Sequence, residues 1–233
     1  MNDLLFEYMN RRVSGDPLLN LKPAAFGPVI TISRQTGCDA ESIAHELCAE
    51  LNKQQLLGNK HAEWKYISKE ILQRTAEELN LDPNFLHHVI ADKNRGILDQ
   101  IVEALSNHSH KSDQKILKTI QDVILKFAIR GNAVIIGRGG AGICSDIKRS
   151  VHIRLEAPEE WRIAVLAKKM DFSKDFTAGY VRSHDEQREL FKTKVYGKII
   201  PNLLYDVVIN RSRFTDKEIV EIIIQLGKTK GIF

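Results

Sequence analysis

The sequence has few cysteines, no membrane-length apolar run and no concentrated basic stretch, and each lack removes a class of protein. Only Cys38, Cys48 and Cys144 occur in 233 residues. An odd number at irregular spacing argues against both a disulfide scaffold and a zinc cluster. No stretch reaches the roughly 18 apolar residues that a membrane span requires. Residues 1–12 include acids and no long apolar segment, unlike a secretory leader. The net charge is +4, yet Lys and Arg are spread along the chain rather than gathered in a stripe that would track a phosphate backbone. The expectation is a cytoplasmic chain with no nucleic-acid or membrane partner. Its mild positive bias suits anionic small molecules.

What is present describes a folded protein. Apolar residues make up 43% and charged residues 27%, ordinary values for a globular chain. The length favours one domain with insertions over two full domains. Residues 2–13 have apolar positions at Leu4, Leu5, Tyr8 and Met9, a helical spacing. Pro17, Pro23, Gly27 and Pro28 then break the chain. Residues 1–28 therefore read as a helical arm and linker, packed on the domain or on a second subunit in a homodimer.

From residue 29 to 233, strands alternate with helices. Val29–Ile32 is a β-branched run, followed by a polar turn and a helical pattern at Ile43, Ala44, Leu47, Cys48 and Leu51. Trp64–Ile67 reads as a second strand. Residues 68–131 are helical in pattern and form a long insertion, with Asp82-Pro83 as one helix start. Ala133–Ile136, Val151–Leu155 and Tyr205–Asn210 read as strands, and 216–226 as the last helix. Such alternation implies a parallel sheet covered on both faces.

Three segments carry chemistry. The first is the loop from Ser33 to Ser42. A strand entering a glycine turn at a helix N-terminus forms an anion site, because backbone N–H groups and the helix dipole favour negative charge. Against the pattern G-x-x-x-x-G-K-[ST], Arg34 stands at the first glycine, Asp39 at the second and Ala40 at the lysine. Ser42 keeps a hydroxyl one place beyond Glu41. A carboxylate about 4 Å from a phosphate oxygen costs roughly 4 kcal/mol at an effective dielectric near 20. That penalty vanishes if Asp39 caps the helix and Glu41 faces solvent. The plain alternative is a capped turn with no ligand. Cys38, at a helix N-terminus, is either a thiol of lowered pKa or a buried inert one.

The second segment is Gly137-Arg138-Gly139-Gly140 at the end of a strand, where ligands of open parallel sheets bind. Arginine there clamps phosphate and glycine allows close approach. A surface arginine in a turn is the alternative. The third segment runs from Arg182 through Asp185 and Arg188 to Gly197. Its basic residues suit a segment that closes over a transferring phosphate, or else a solvated charged helix. His87, His88, His108 and His110 have no acidic ligand set at matching spacing, so they give no zinc site.

Taken in order, VITISRQTGCDAESIA (29–44), AVIIGRGG (133–140), residues 151–162 and YDVVINRSRF (205–214) resemble the cytidylate kinase-like family across about residues 29–226. The resemblance implies a three-layer P-loop kinase fold with a five-stranded parallel sheet. Residues 68–131 would be the monophosphate-binding insertion and 170–200 the lid. It implies ATP and Mg²⁺ as cofactors and CMP or a related acceptor. By this resemblance the nucleotide-binding residues are Ser33, Arg34, Gly37, Cys38, Asp39, Ala40, Glu41 and Ser42, with Ser42 also orienting the metal. Gly137 and Arg138 face the acceptor phosphate, and Arg182, Asp185 and Arg188 act from the lid. Two departures stand out. Asp39-Ala40-Glu41 replaces the family's Gly-Gly-Arg, and Ile67-Ser68 replaces an acidic-basic pair. Three functions stay open: a nucleoside monophosphate kinase, a non-catalytic nucleotide- or partner-binding relative, and a kinase for another small acceptor.

Overall fold

A computed structural model of the chain describes residues 27–57, 63–67, 120–121, 123–196 and 204–232. The N-terminal arm up to residue 26, positions 68–119 of the insertion with its four histidines, and the lid's Gly197 lie outside these residues.

Five parallel strands form one sheet in the order β2-β3-β1-β4-β5. Strand β1 (Val29–Arg34) is central, pairing with β3 (Ala133–Ile136) on one side and β4 (Ser150–Glu156) on the other. Strands β2 (Lys65–Ile67) and β5 (Val207–Asn210) close the two edges. The β-branched runs at 29–32, 133–136 and 151–153 explain why these segments extend, since such side chains pack well on a pleated surface. β1 runs two residues past its apolar stretch because Ser33 and Arg34 stay in register with Arg154 and Leu155. That register carries Arg34 to the C-terminal edge of the sheet.

Side chains on alternate strand positions face two separate cores. On one face Ile30, Ile32, Val134, Ile136, Ile153 and Leu155 meet helix α1 (Ala40–Leu57) and the last helix. α1 contains neither Gly nor Pro and buries Ile43, Ala44, Leu47 and Leu51 on one stripe. On the other face Val29, Ala133 and Ile135 meet Ile120, Val123, Ile124 and Ala128 of the helical residues 120–121 and 123–130. The short helix α2 (Gly140–Ile143) joins them, with Phe191 from α4 (Lys174–Tyr196). Helix α3 (Glu159–Met170) precedes α4, and α5 (Asp216–Thr229) ends the domain. α5 begins with a capping box in which the Thr215 hydroxyl accepts from the Glu218 N–H and the Glu218 carboxylate accepts from the Thr215 N–H. No helix among the described residues is long and apolar enough to cross a membrane.

Two polar details lie within this frame. At the N-terminal ends of the strands, Gly27 and Gly131 touch: a Cβ on Gly27 would lie 2.3 Å from the Gly131 Cα. Ile232 ends near the same place, where its carbonyl accepts from Arg149 Nη2 at 2.9 Å. Under β4, His152 is buried with both ring nitrogens bonded. Ser150 Oγ donates to the Ile147 carbonyl at 2.5 Å, so it accepts from His152 Nε2 at 2.9 Å. Nδ1 then accepts from the Thr31 hydroxyl at 2.8 Å. Hydrogen-bond bookkeeping thus assigns a neutral ring protonated on Nε2. Burial pushes the His152 pKa down to about 4, against a smaller upward pull from Asp206.

Candidate functional site

The C-terminal ends of β1, β3 and β4 surround a cavity of about 180 Å³. That space is ample for several waters and admits a phosphate group. Its walls carry Arg34 from β1, Arg138 after β3, Arg154 from β4, and Arg188 and Lys192 from α4.

The turn after β3 explains how Arg138 reaches inward. Gly137, Arg138 and Gly139 all adopt left-handed backbone, at φ 67°, 55° and 73°. Two of these three positions suit only glycine well, and holding Arg138 there costs about 1 kcal/mol. The Gly137 N–H donates to the Ile32 carbonyl at 3.0 Å, and the Gly140 N–H to the Gly137 carbonyl at 2.8 Å. The turn is thereby locked beside β1. Arg138 is only 7% exposed, and its Nη1 has no hydrogen-bond partner. A buried unpaired donor is costly unless a ligand supplies the acceptor.

Electrostatics point the same way. Burial first, and then neighbouring Arg188, lower the Arg138 pKa to about 10. Arg34 is held well below its ordinary value by burial first, then by Arg188 and Arg138. Among the described residues, neither Arg34 nor Arg138 has an ion-pair partner. Three like charges in a partly desolvated space repel one another, and a bound anion reverses that repulsion.

Gly137 is fitted to this cluster. A Cβ there would lie 2.0 Å from Arg34 Nη1. Gly137→Ala is therefore expected to push the Arg34 guanidinium aside and weaken inorganic pyrophosphate binding about tenfold, while the left-handed backbone costs about 1 kcal/mol of stability. Calorimetric titration and a thermal melt of the two proteins check both figures.

Several donors of the loop from Ser33 to Ser42 are engaged within the protein. Ser33 lines the cavity mouth. The Thr36 N–H donates to Asp185 Oδ1 at 2.8 Å, and the Cys38 N–H to the Gln35 carbonyl at 3.2 Å. The Ser42 N–H makes a long contact of 3.5 Å with Asp39 Oδ1. Gly37, at φ 94°, packs against α3, where a Cβ would meet the Arg162 carbonyl at 3.1 Å. Cys38 is buried and its thiol is pushed up to about 11 by desolvation, which suppresses the thiolate. Asp39, at φ 34°, turns its carboxylate to Lys169 at 2.9 Å. Ala40 is buried at the start of α1, and Glu41 is exposed in its first turn, where its charge acts on Arg34.

Helix α4 divides the lid residues between two environments. Asp185 and Arg188 face the loop: Asp185 Oδ2 accepts from Arg162 Nη1 at 2.6 Å, and Arg188 Nη1 donates to Thr36 Oγ1 at 2.8 Å. Arg182 pairs instead with Glu159 at 2.9 Å, its side chain 66% exposed. Sequence reading did not single out Thr36, Arg154, Arg162 or Lys192 as site residues. Arg154 lies within a strand and stacks on the Tyr205 ring at 5.4 Å, a contact across 51 residues. The alternation of β4 places Arg154 opposite the buried Ile153, and that was the available signal.

The orphaned Arg138 Nη1 fits a phosphate oxygen. For magnesium, the candidate oxygens are Ser42 Oγ and Asp216 Oδ2, joined here by a hydrogen bond of 2.6 Å that the Ser42 hydroxyl donates. Magnesium takes such ligands one or two at a time and completes its shell with water and phosphate. Asp216 is also paired with Arg211. No group of three or more His, Cys, Asp or Glu among the described residues forms a self-sufficient metal site.

Comparison with known proteins bears on the fold and the family. The chain is similar to an uncharacterized protein from Eubacterium ventriosum, with TM-score 0.59 and 17% identity over 87% of this chain and 98% of the other. It also matches shikimate kinase from Bacteroides thetaiotaomicron, with TM-score 0.43 and 12% identity over 85% and 97%. No curated protein matches the sequence. The model of the cytidylate kinase-like family matches residues 29–213, which span all five strands and the arginine-lined cavity. The chain belongs to the cytidylate kinase-like family.

Proposed function

We propose that this protein is a nucleotide-dependent phosphotransferase in which Arg34, Arg138 and Arg188 hold the phosphate end of a nucleotide. The observation that carries the reading is the buried Arg138 guanidinium, with Nη1 unpartnered beside two further arginines. Family membership supports a kinase-like, nucleotide-binding protein. We assign ATP as the donor and CMP or a related monophosphate as the acceptor.

Phosphoryl transfer depends on positioning and charge neutralisation. An acceptor phosphate oxygen attacks the γ-phosphorus while the bond to the bridging oxygen breaks, and that oxygen leaves with ADP. Negative charge spreads over the equatorial oxygens of the group in flight. We assign Arg138 to the acceptor phosphate, and Arg34 and Arg188 to neutralising the developing charge. Since the attacking oxygen is already anionic, no general base is required. Asp185, occupied by Arg162 and the Thr36 N–H, serves as a brace. Ser42 and Asp216 are the residues that would hold magnesium, which when bound adds positive charge to the phosphate chain.

A second reading is a nucleotide sensor without catalysis. It is favoured by Asp39, Ala40 and Glu41 in the loop and by the internal partners of the Thr36 and Cys38 N–H groups. Titration with ATP and Mg²⁺ separates the two. Micromolar binding that weakens at least about tenfold in Arg34→Ala, followed by ADP release with an acceptor, supports the enzyme. Binding without turnover across a panel of nucleosides, monophosphates and small metabolites supports the sensor. Absence of binding at millimolar ATP in a demonstrably folded sample overturns both.

A further inference from the structure

We infer that Thr36 is a positioning residue for Arg188, and that its hydroxyl keeps the arginine's ion pair with Asp185 long, leaving the guanidinium within reach of phosphate. The inference rests on the phosphate-pocket reading and assigns a role to a loop residue outside that pocket's wall.

Thr36 is 4% exposed, and all three of its polar groups are engaged by α3 and α4. Its N–H donates to Asp185 Oδ1 at 2.8 Å. Its carbonyl accepts from Arg162 Nη1 at 3.1 Å, and its hydroxyl oxygen accepts from Arg188 Nη1 at 2.8 Å. Arg162 is itself fixed, since it is 4% exposed and its Nε donates to the Ala157 carbonyl at 3.0 Å. One residue of the β1–α1 loop therefore ties both helices to the end of the central strand.

The competition lies between Asp185 and Arg188, which stand three residues apart on α4 with Arg188 Nη1 3.8 Å from Asp185 Oδ1. At that spacing an aspartate and an arginine on one helix readily pair. The Thr36 hydroxyl intervenes with a shorter bond to the same Nη1. Without that bond, the existing ion pair is free to tighten and to draw the guanidinium away from its place near Arg34 and Arg138. A short polar side chain at position 36 thus holds at 3.8 Å an ion pair that the helix spacing alone would tighten.

The test is a double-mutant cycle read by calorimetry with inorganic pyrophosphate. Thr36→Val keeps the branched shape without the oxygen and is expected to weaken binding about tenfold, the value of one hydrogen bond to a charged donor. Thr36→Ser restores the hydroxyl and is expected to bind within about twofold of the parent. In an Arg188→Ala background, Thr36→Val is expected to add no further loss, because the hydroxyl acts only through that arginine. A purely structural role would lower affinity equally in both backgrounds. Thr36→Ala replaces the valine variant in the same cycle if the latter does not fold. The inference is overturned if Thr36→Val binds like the parent while Arg188→Ala does not, or if Thr36→Ser is as weak as Thr36→Val. If Arg188→Ala and Arg138→Ala both bind like the parent, the pocket reading itself fails.

Discussion

Replacing Arg138 with methionine is expected to make the ligand-free protein more stable and nearly unable to bind pyrophosphate. The two effects have one origin. Arg138 is buried, its Nη1 is unpartnered, and Arg34 and Arg188 raise the local positive potential. Exchanging a buried, uncompensated charge for an apolar side chain of similar length is worth about 2 kcal/mol, or about 6 °C in the melting midpoint of a chain this size. Losing a desolvated charge–phosphate contact costs about 3 kcal/mol of binding, which is more than 100-fold in Kd. A thermal melt with and without pyrophosphate reads both at once: the parent midpoint rises with ligand, and the variant starts higher and does not move. A variant that is destabilised and still shifts with pyrophosphate would show that Arg138 supports the turn and not the anion.

The second large effect is acid sensitivity centred on His152. Its folded pKa is about 4, against 6.5 for the ordinary group. Between those values the unfolded chain binds a proton that the folded chain refuses, so stability is complete above about pH 6.5 and is lost as pH falls towards 4. The full span corresponds to about 3 kcal/mol, and about 2 kcal/mol of it is lost between pH 7 and pH 5. The groups facing the ring explain the direction. Thr31 and Ser150 satisfy the neutral tautomer, Lys230 opposes a positive ring, and Asp206 only partly compensates while paired with Lys230 at 2.7 Å. Urea unfolding at the two pH values measures the slope. His152→Gln should remove most of it, and a variant with an unchanged slope would move the cause elsewhere.

The sequence made the frame readable because strands and helices leave periodic marks. Val29–Ile32, Ala133–Ile136 and residues 151–155 were plain as strands, and residues 216–226 as the last helix. Strand ends were harder. Ser33 and Arg34 look like the start of a turn, yet the pairing with β4 extends β1 through them. At β5 the reverse holds. Tyr205 and Asp206 look like strand, but Asp206 exchanges two hydrogen bonds with the His152 backbone before the regular ladder begins at Val207.

The site was legible where it lies near glycines and obscure where it assembles across the chain. Gly137-Arg138-Gly139 announces a left-handed turn, because few other sequences tolerate that backbone. Thr36 and Arg162 announce nothing locally, since their roles arise only when α3 and α4 fold over a loop more than 120 residues away. Arg182 and Arg188 look alike in sequence. Six residues on a helix leave them about 120° apart around its axis, however, so one meets Glu159 and the other the loop.

The meeting of Gly27 with Gly131, and of Ile232 with Arg149, also keeps two demands on the sequence apart. Both contacts lie at the N-terminal ends of the strands, whereas the arginine cavity lies at their C-terminal ends. The first demand is for close backbone packing: a Cβ on Gly131 would lie 2.5 Å from the Gly27 Cα. A substitution at either glycine therefore acts on the stability of the domain, while the charges that face a ligand are held by the other ends of the same strands.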